Sequence, residues 1–332
     1  MVDAVYNPFE PGFHENPYDQ YARIRAAGRA QRTPFGTLLI HRYDDCFGVL
    51  RMAGTSVDDR NADISLRVQV PPELAAGREQ RGRNAILNLD PPDHTRIRRL
   101  VSKAFTARRV EQLRPRVREL VDGFLDDVAE RGAGGEPVDL MTHLAFPLPF
   151  QVISEMLGMP EGDRDQLRRW SHTLTLLLEP LIDPDRLRAA IEASDRMNEH
   201  VKDVIAWKRE HPADDLLTGL IQATDGDDVL SEPELVDQVV LLYLAGHETT
   251  VNLIGNGTLA LLRHRDQLEL LRDDPDLDAV APDELLRYDS PVQLSRRIIL
   301  QPTEVAGEAL EPGETVTTLL GAANHDPDRW GP

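Results

Sequence analysis

The chain has 332 residues, a formal net charge of −20, 41% hydrophobic and 28% charged residues, and one cysteine. That length buries a substantial core and by itself permits two domains, while the acidity argues against nucleic acid or anionic membrane as partners. The single Cys46 excludes an intramolecular disulfide and fits a reducing cytoplasm. No apolar run is long enough to span a bilayer, and no secretory leader is expected.

Met1–Asn16 is polar and punctuated by proline, and Tyr18–Ala27 carries a short helical pattern. Ala30–Arg32 and Thr37–His41 flank Pro34-Phe35-Gly36, which predicts a small hairpin. Arg42–Met52 is helical, with Cys46 as a small buried hydrophobe. Ala53–Asn84 is long, charged and broken by Pro71-Pro72, a pattern shared by substrate-facing loops and solvated excursions.

Asp90 followed by Pro91 predicts a helix start, with the pattern continuing to about Phe105. His94 and Arg98 lie four apart on its surface. Presented together they suit a carboxylate or phosphate, because guanidinium offers a planar fork of donors. A solvated basic face is the other reading of that spacing. Arg96, Arg99, Lys103, Arg108, Arg109, Arg114, Arg116 and Arg118 follow with few acids between them. In so acidic a chain they make either a solvated face or a dock for an acidic protein. Val110–Arg131 is a long helix closed by Gly132-Ala133-Gly134-Gly135. Helices over Leu148–Leu157, Asp163–Leu178, Asp185–Arg209 and Asp214–Thr224 come next, broken at Gly158, Pro160, Pro180 and Pro184.

Asp225-Gly226-Asp227 turns into the helix around which the rest is organised. Ser231 stands three residues before Glu234 as a capping box, and Pro233 fits the first turn. Apolar residues on every face predict a long helix buried in a large core. Its middle reads Leu241-Leu242-Tyr243-Leu244-Ala245-Gly246-His247-Glu248-Thr249-Thr250. Glycine there costs about 1 kcal/mol against alanine. Threonine hydroxyls can bond back to the carbonyl four residues earlier and bend the axis. A carboxylate in that place is out of water and needs a partner or a task. The pattern suits a kinked helix holding an acid and an alcohol over something; a structural Glu248 and two kink-filling threonines are the plainer reading. His247-Glu248 opens like a zinc-protease motif, but the fifth position is Val251. Gly255-Asn256-Gly257-Thr258-Leu259-Ala260 matches the dinucleotide pattern in letters only, since it lies within a helix.

Arg263–Asp273 is helical up to Pro275, and Pro282–Tyr288 is a short helix on which Glu284 and Arg287 can pair. From Val292 the pattern alternates through Arg296–Ile299, Thr303–Val305, a Pro312-Gly313 turn and Thr315–Leu320, a small β region. Ala322-Ala323-Asn324-His325-Asp326-Pro327 leads to Pro332.

Taken together, these motifs resemble the soluble bacterial cytochrome P450 monooxygenases over nearly the whole chain. Ala245–Thr250 resembles the family's oxygen-activating segment, Glu284-Leu285-Leu286-Arg287 its ExxR motif and His94-Thr95-Arg96-Ile97-Arg98 its haem-propionate motif. Arg297 matches a third propionate position. The resemblance implies haem as cofactor and a mainly α fold with a small β subdomain, residues 1–332 forming a single P450-like domain. It implies that Glu248 and Thr249 deliver protons for O–O cleavage, with Ala245 and Gly246 beside the haem and His94, Arg98 and Arg297 on its propionates. It further implies a small apolar substrate, a cytoplasmic setting, and electrons from a ferredoxin for which Arg96, Arg99, Lys103, Arg108 and Arg109 are a candidate dock. One departure stands out. The family's thiolate ligand lies in a Gly-rich loop after the Asn-x-Asp-Pro segment, and the sequence stops at Pro332, before it. Cys46, in an early helix, lacks that context. Thiolate donation favours O–O cleavage, so the chain alone is expected to bind haem weakly or not at all. The alternative class is a C-terminally truncated, non-catalytic remnant or binding scaffold.

Overall fold

A computed structural model of the chain describes residues 5–33, 36–63, 82–160, 164–175 and 184–331. Its helices are α1 (Tyr18–Ala27), α2 (Tyr43–Leu50), α3 (Asp93–Ala104), α4 (Ala107–Gly132), α5 (Pro147–Leu157), α6 (Arg164–Thr175), α7 (Pro184–Glu210) and α8 (Leu216–Ile221). They continue with α9 (Glu232–Arg263), α10 (Arg265–Asp273), α11 (Ala281–Tyr288), α12 (Leu320–Ala323) and α13 (Pro327–Trp330). Among the described residues no helix is long and apolar enough to cross a membrane. The fold is mainly α with a small β part, and the chain divides into two compact units, Val70–Gly255 and Met1–Gln69 with Asn256–Pro332.

The core of the Val70–Gly255 unit forms where α9 meets α5, α7 and α8. Leu235, Val236, Val239 and Tyr243 recur at helical spacing along α9 and pack with Phe150, Ile153 and Leu157, with Met197, Val201 and Ile205, and with Leu216, Leu217 and Leu220. Full burial of each large side chain contributes roughly 1.5–3 kcal/mol. The Tyr243 hydroxyl is satisfied by Ser154 Oγ at 2.7 Å. The capping box forms as expected, Glu234 Oε2 accepting from the Ser231 N–H at 2.8 Å. Gly158 ends α5 in the left-handed region at φ +65°, where glycine carries no Cβ penalty. Thr224–Asp225 (β4) and Asp228–Val229 (β5) form a tiny hairpin where the sequence predicted the end of a helix and a turn.

The second unit holds a five-stranded sheet ordered β1 (Ala30–Arg32), β2 (Leu38–Ile40), β9 (Thr315–Leu319), β6 (Leu294–Ile299) and β3 (Thr55–Ser56). The N-terminal hairpin is present, Ala30 opposite Ile40, and β2 then pairs in parallel with β9, Leu38 opposite Val316. Leu38, Ile40, Cys46, Val49, Ile299, Val305, Leu310 and Val316 make its core. A second hairpin, β7 (Thr303–Val305) with β8 (Glu308–Leu310), turns on Ala306 and Gly307 at φ +53° and +87°.

Several boundaries differ from the sequence reading. Helix α3 begins at Asp93, and its His94 N–H already donates back to Asp90 O at 2.9 Å, so the predicted start at Asp90 lies within one turn. A five-residue π turn, Met141–Ala145, precedes α5. Of the predicted loop Ala53–Asn84, residues 64–81 lie outside the described residues, as do 176–183 at the end of the predicted Asp163–Leu178 helix. The end of that loop is tied to α9: Asp237 accepts the Asn84 N–H and Nδ2–H, each at 2.9 Å.

Candidate active site

Helix α9 runs without interruption through Gly246–Thr249, so the predicted kink is not a break in the helix. The back-bonding that motivated it is there: Thr249 Oγ1 donates to Ala245 O at 2.8 Å and Thr250 Oγ1 to Gly246 O at 3.4 Å. One side of this turn is unlike the rest of the helix. Ala245, Gly246, Thr249 and Thr250 are exposed, in a helix whose Val239, Tyr243, His247 and Val251 are buried. A Cβ at Gly246 would approach Ile153 Cδ1 to 3.1 Å, so glycine also allows α5 to pack closely here.

Glu248 lies between those faces, its side chain 21% exposed and its Oε2 buried without a hydrogen-bond partner. Desolvation pushes its carboxyl above the usual range, against the opposing pull of His172 and a hydrogen bond from Asn252. His247 is fully buried, edge-on to Phe146 with ring centres 4.4 Å apart, and neither ring nitrogen has a partner. The sequence reading set His247 aside with the zinc motif. The signal that finds it is its position four residues after Tyr243, on the buried stripe.

On α3, Ile97, Leu100 and Ala104 face the core and His94 and Arg98 flank that stripe, His94 half-buried and Arg98 exposed. Neither side chain has a hydrogen-bond or ion-pair partner among the described residues. In a chain of net charge −20, a histidine and an arginine without a described acid stand out as candidate donors to an external anion.

In the other unit, Arg287 grips Glu284 with two bonds of 2.7 Å, from Nε to Oε2 and Nη2 to Oε1, and its Nη1 donates to Asn324 O at 2.8 Å. The pair therefore fastens α11 to the Asn324–Pro327 segment, where His325 Nε2 also meets Tyr288 O at 2.7 Å. Arg297 stands on β6 opposite Val316, and its Nη1 donates to Arg296 O at 2.8 Å. Both glycines of the dinucleotide-like stretch serve packing: a Cβ at Gly255 would meet Met141 Sδ at 2.8 Å, and one at Gly257 would meet Leu285 Cδ1 at 3.0 Å.

The cytochrome P450 family model matches residues 60–277. Cytochrome P450 107B1 of Saccharopolyspora erythraea is 42% identical across 97% of this chain and 78% of its own length. The chain belongs to the cytochrome P450 family. The vitamin D(3) 25-hydroxylase of Pseudonocardia autotrophica is 40% identical, over 98% of this chain and 77% of that one. A crystal structure of P450BioI with an acyl carrier protein bearing hexadec-9Z-enoic acid superposes with a TM-score of 0.85 at 32% identity, covering 95% of this chain and 79% of that one.

This P450 is an oxidoreductase of the monooxygenase type, with haem as cofactor and O2 and an organic substrate as reactants. The unpaired donors His94 and Arg98 fit the acidic edge of haem, whose two carboxylates need exactly such neutralisation when removed from water. The thiol does not fit the iron. Cys46 is 3% exposed, its Sγ donates to Ile40 O at 3.5 Å, and burial pushes it up to about 12, so it stays a protonated core residue.

The basic cluster of α3 and α4 is less free than its spacing suggested. Arg96 is bound to Asp228 at 3.0 Å and to Glu234. Arg99 and Lys103 share Asp225 at 2.5 and 2.7 Å, and Arg109 reaches Asp214 at 3.1 Å. Arg108 alone of the five has no ion-pair partner among the described residues.

Proposed function

We propose that this P450 inserts one oxygen atom of O2 into a small apolar substrate, that Glu248 and Thr249 manage the protons, and that residues 1–332 act as one P450-like domain. The observation that carries the reading is the turn Ala245–Thr250, where small and hydroxyl side chains lie exposed in a buried helix beside a desolvated acid with a partnerless oxygen. When bound, haem supplies the oxidative chemistry; the protein supplies orientation and protons.

His94 and Arg98 hold propionate oxygens through charged hydrogen bonds, and Arg297 is the third cation assigned to them. Ala245 and Gly246 carry no bulk and let a flat group lie against the helix. Burial raises the proton affinity of the Glu248 carboxyl above that of an ordinary glutamate, which suits it to take up and give back a proton. In the relay, Glu248 gives a proton to Thr249 Oγ1 while that hydroxyl turns its own, now donated to Ala245 O, toward the reacting oxygen and gives it up there. The Glu284–Arg287 pair fixes the Asn324 segment.

Electrons come from a ferredoxin-type donor. With Arg96, Arg99, Lys103 and Arg109 engaged by this chain's own acids, Arg108 is the one of these five without an ion-pair partner among the described residues. An apolar substrate is supported by the names of the relatives, one a vitamin D(3) hydroxylase and one holding a hexadecenoic acyl group. A cytoplasmic setting completes the proposal, and a chain whose one cysteine is a buried free thiol fits it.

The test is Thr249→Ala in the haem-loaded enzyme. The expected outcome is several-fold less product per electron consumed with substrate affinity retained. Unchanged coupling would remove Thr249 from the relay.

A further inference from the structure

We infer that His247 is a positioning residue for Glu248: its ring Nδ1–H holds the carboxylate form of the acid in place between proton transfers. The inference rests on the relay proposed above and adds a residue to it.

Three buried polar atoms lie together here without a hydrogen-bond partner among the described residues: both ring nitrogens of His247 and Oε2 of Glu248. His247 is fully buried, and its Nδ1 stands 3.8 Å from Glu248 Oε2. The ring sits between two aromatics, 4.4 Å from Phe146 and 5.6 Å from Phe150. A slot of that kind asks for an apolar ring, and leaving a buried donor or acceptor unsatisfied costs about 1–3 kcal/mol. Phenylalanine would fill the space without that cost, so the nitrogens need another justification. The unpaired oxygen beside them provides one.

The charge states agree with a donor role. Burial lowers the His247 imidazole to about 4, helped by the positive charges of Arg168 and His172 on α6, so it is neutral at pH 7 and carries one N–H. It therefore donates a hydrogen bond without storing a proton. Among the described residues the groups acting on this pair are Arg168, whose guanidinium lies 3.7 Å over the Phe146 ring, His172, and Asn252 one turn along α9. Protonated, Glu248 has weak need of a donor. Once its proton has gone to Thr249, the carboxylate is a strong acceptor, and a small side-chain rotation closes the gap to the Nδ1–H. Reprotonation from solvent then releases it. No electrons move: each proton that Glu248 Oε2 gives to Thr249 Oγ1 is replaced by one from solvent, and Thr249 Oγ1 gives its own to the reacting oxygen.

The test reads the Glu248 carboxyl directly, as the C=O stretch that is present in the chain and absent from Glu248→Gln, followed against pH by difference infrared spectroscopy. His247→Phe keeps the aromatic packing and removes the donor, and a donor to the carboxylate lowers its proton affinity. The midpoint should therefore rise by about one pH unit in that variant, with the pH profile of coupling in the haem-loaded enzyme moving the same way. His247→Asn places an amide N–H where Nδ1 was and should restore the midpoint; His247→Gln places it at the far nitrogen and should not. If His247→Phe fails to fold, the Asn and Gln pair decides the matter alone. An unmoved midpoint, or equal midpoints for Asn and Gln, overturns the inference, whatever these variants do to stability. If Glu248→Gln itself leaves coupling intact, it is the relay that fails.

Discussion

The two members of the Glu284–Arg287 pair should have very unequal weight. Glu284 is 61% exposed and Arg287 21%. An exposed ion pair contributes under about 1 kcal/mol even when bidentate. Arg287 additionally donates to the Asn324 carbonyl at 2.8 Å, a charged hydrogen bond of roughly 1.5–3 kcal/mol. Its guanidinium also lies 5.7 Å from the Trp330 ring centre, adding about 0.5 kcal/mol. Glu284→Ala should therefore cost under about 1 kcal/mol and Arg287→Ala about 2–4 kcal/mol, read from urea midpoints at pH 7. The acid dependence separates the two contributions. Arg287 holds the Glu284 carboxyl below its ordinary value. A depressed carboxylate stabilises the fold above its unfolded value near ~4.3 and loses that stabilisation as pH falls through the lower folded value. The Glu284→Ala penalty should vanish at the acid end while most of the Arg287→Ala penalty persists. Equal penalties at pH 7, or penalties that fade together in acid, would refute the assignment of the larger effect to Asn324.

Lys208 and Asp215 are 3% and 8% exposed with Nζ–Oδ2 at 2.6 Å, and Asp215 also caps α8 through the Thr218 N–H at 2.8 Å. Lys208→Met should cost roughly 3–5 kcal/mol by stranding the carboxylate, and adding Asp215→Asn should recover most of it in urea denaturation. Cys46, a protonated core thiol, should react with an aromatic disulfide reagent at pH 8 at least about a hundredfold more slowly in the folded protein than in urea; similar rates would show that α2 opens readily.

The helical skeleton was legible because its signals are local. Ser231 and Glu234 mark the start of α9, and Gly158 ends α5, through bonds spanning three or four residues. The β part was legible only strand by strand. Nothing in Leu38–Ile40 says that it will lie parallel to Thr315–Leu319, because that pairing joins segments some 270 residues apart. The β7–β8 hairpin escaped for a different reason: its turn puts Ala306 at φ +53°, where glycine, asparagine or aspartate is the usual signal.

The active-site reading divides along the same line. Glu248, Thr249, His94 and Arg98 stood out because each sits where local chemistry is odd: an acid among leucines, hydroxyls in mid-helix, a histidine and an arginine one turn apart. The basic cluster looked freer in the sequence than it is in the fold, because charge spacing along one helix says nothing about the acids folded against it. Asp225, Asp228 and Glu234 come from the β4–β5 hairpin and the first turn of α9, more than a hundred residues later, and they neutralise Arg96, Arg99 and Lys103. His94 and Arg98 share a helix with those cations and have no side-chain partner among the described residues. Arg98 is exposed and His94 half-buried, so burial does not set them apart from the paired Arg96 and Arg99; what does is that no described acid reaches them, in a chain with 57 acidic and 37 basic residues. That contrast within a single helix supports the proposal that the His94–Arg98 face meets an anion from outside the chain, and it emerges only once the ion pairs have been placed.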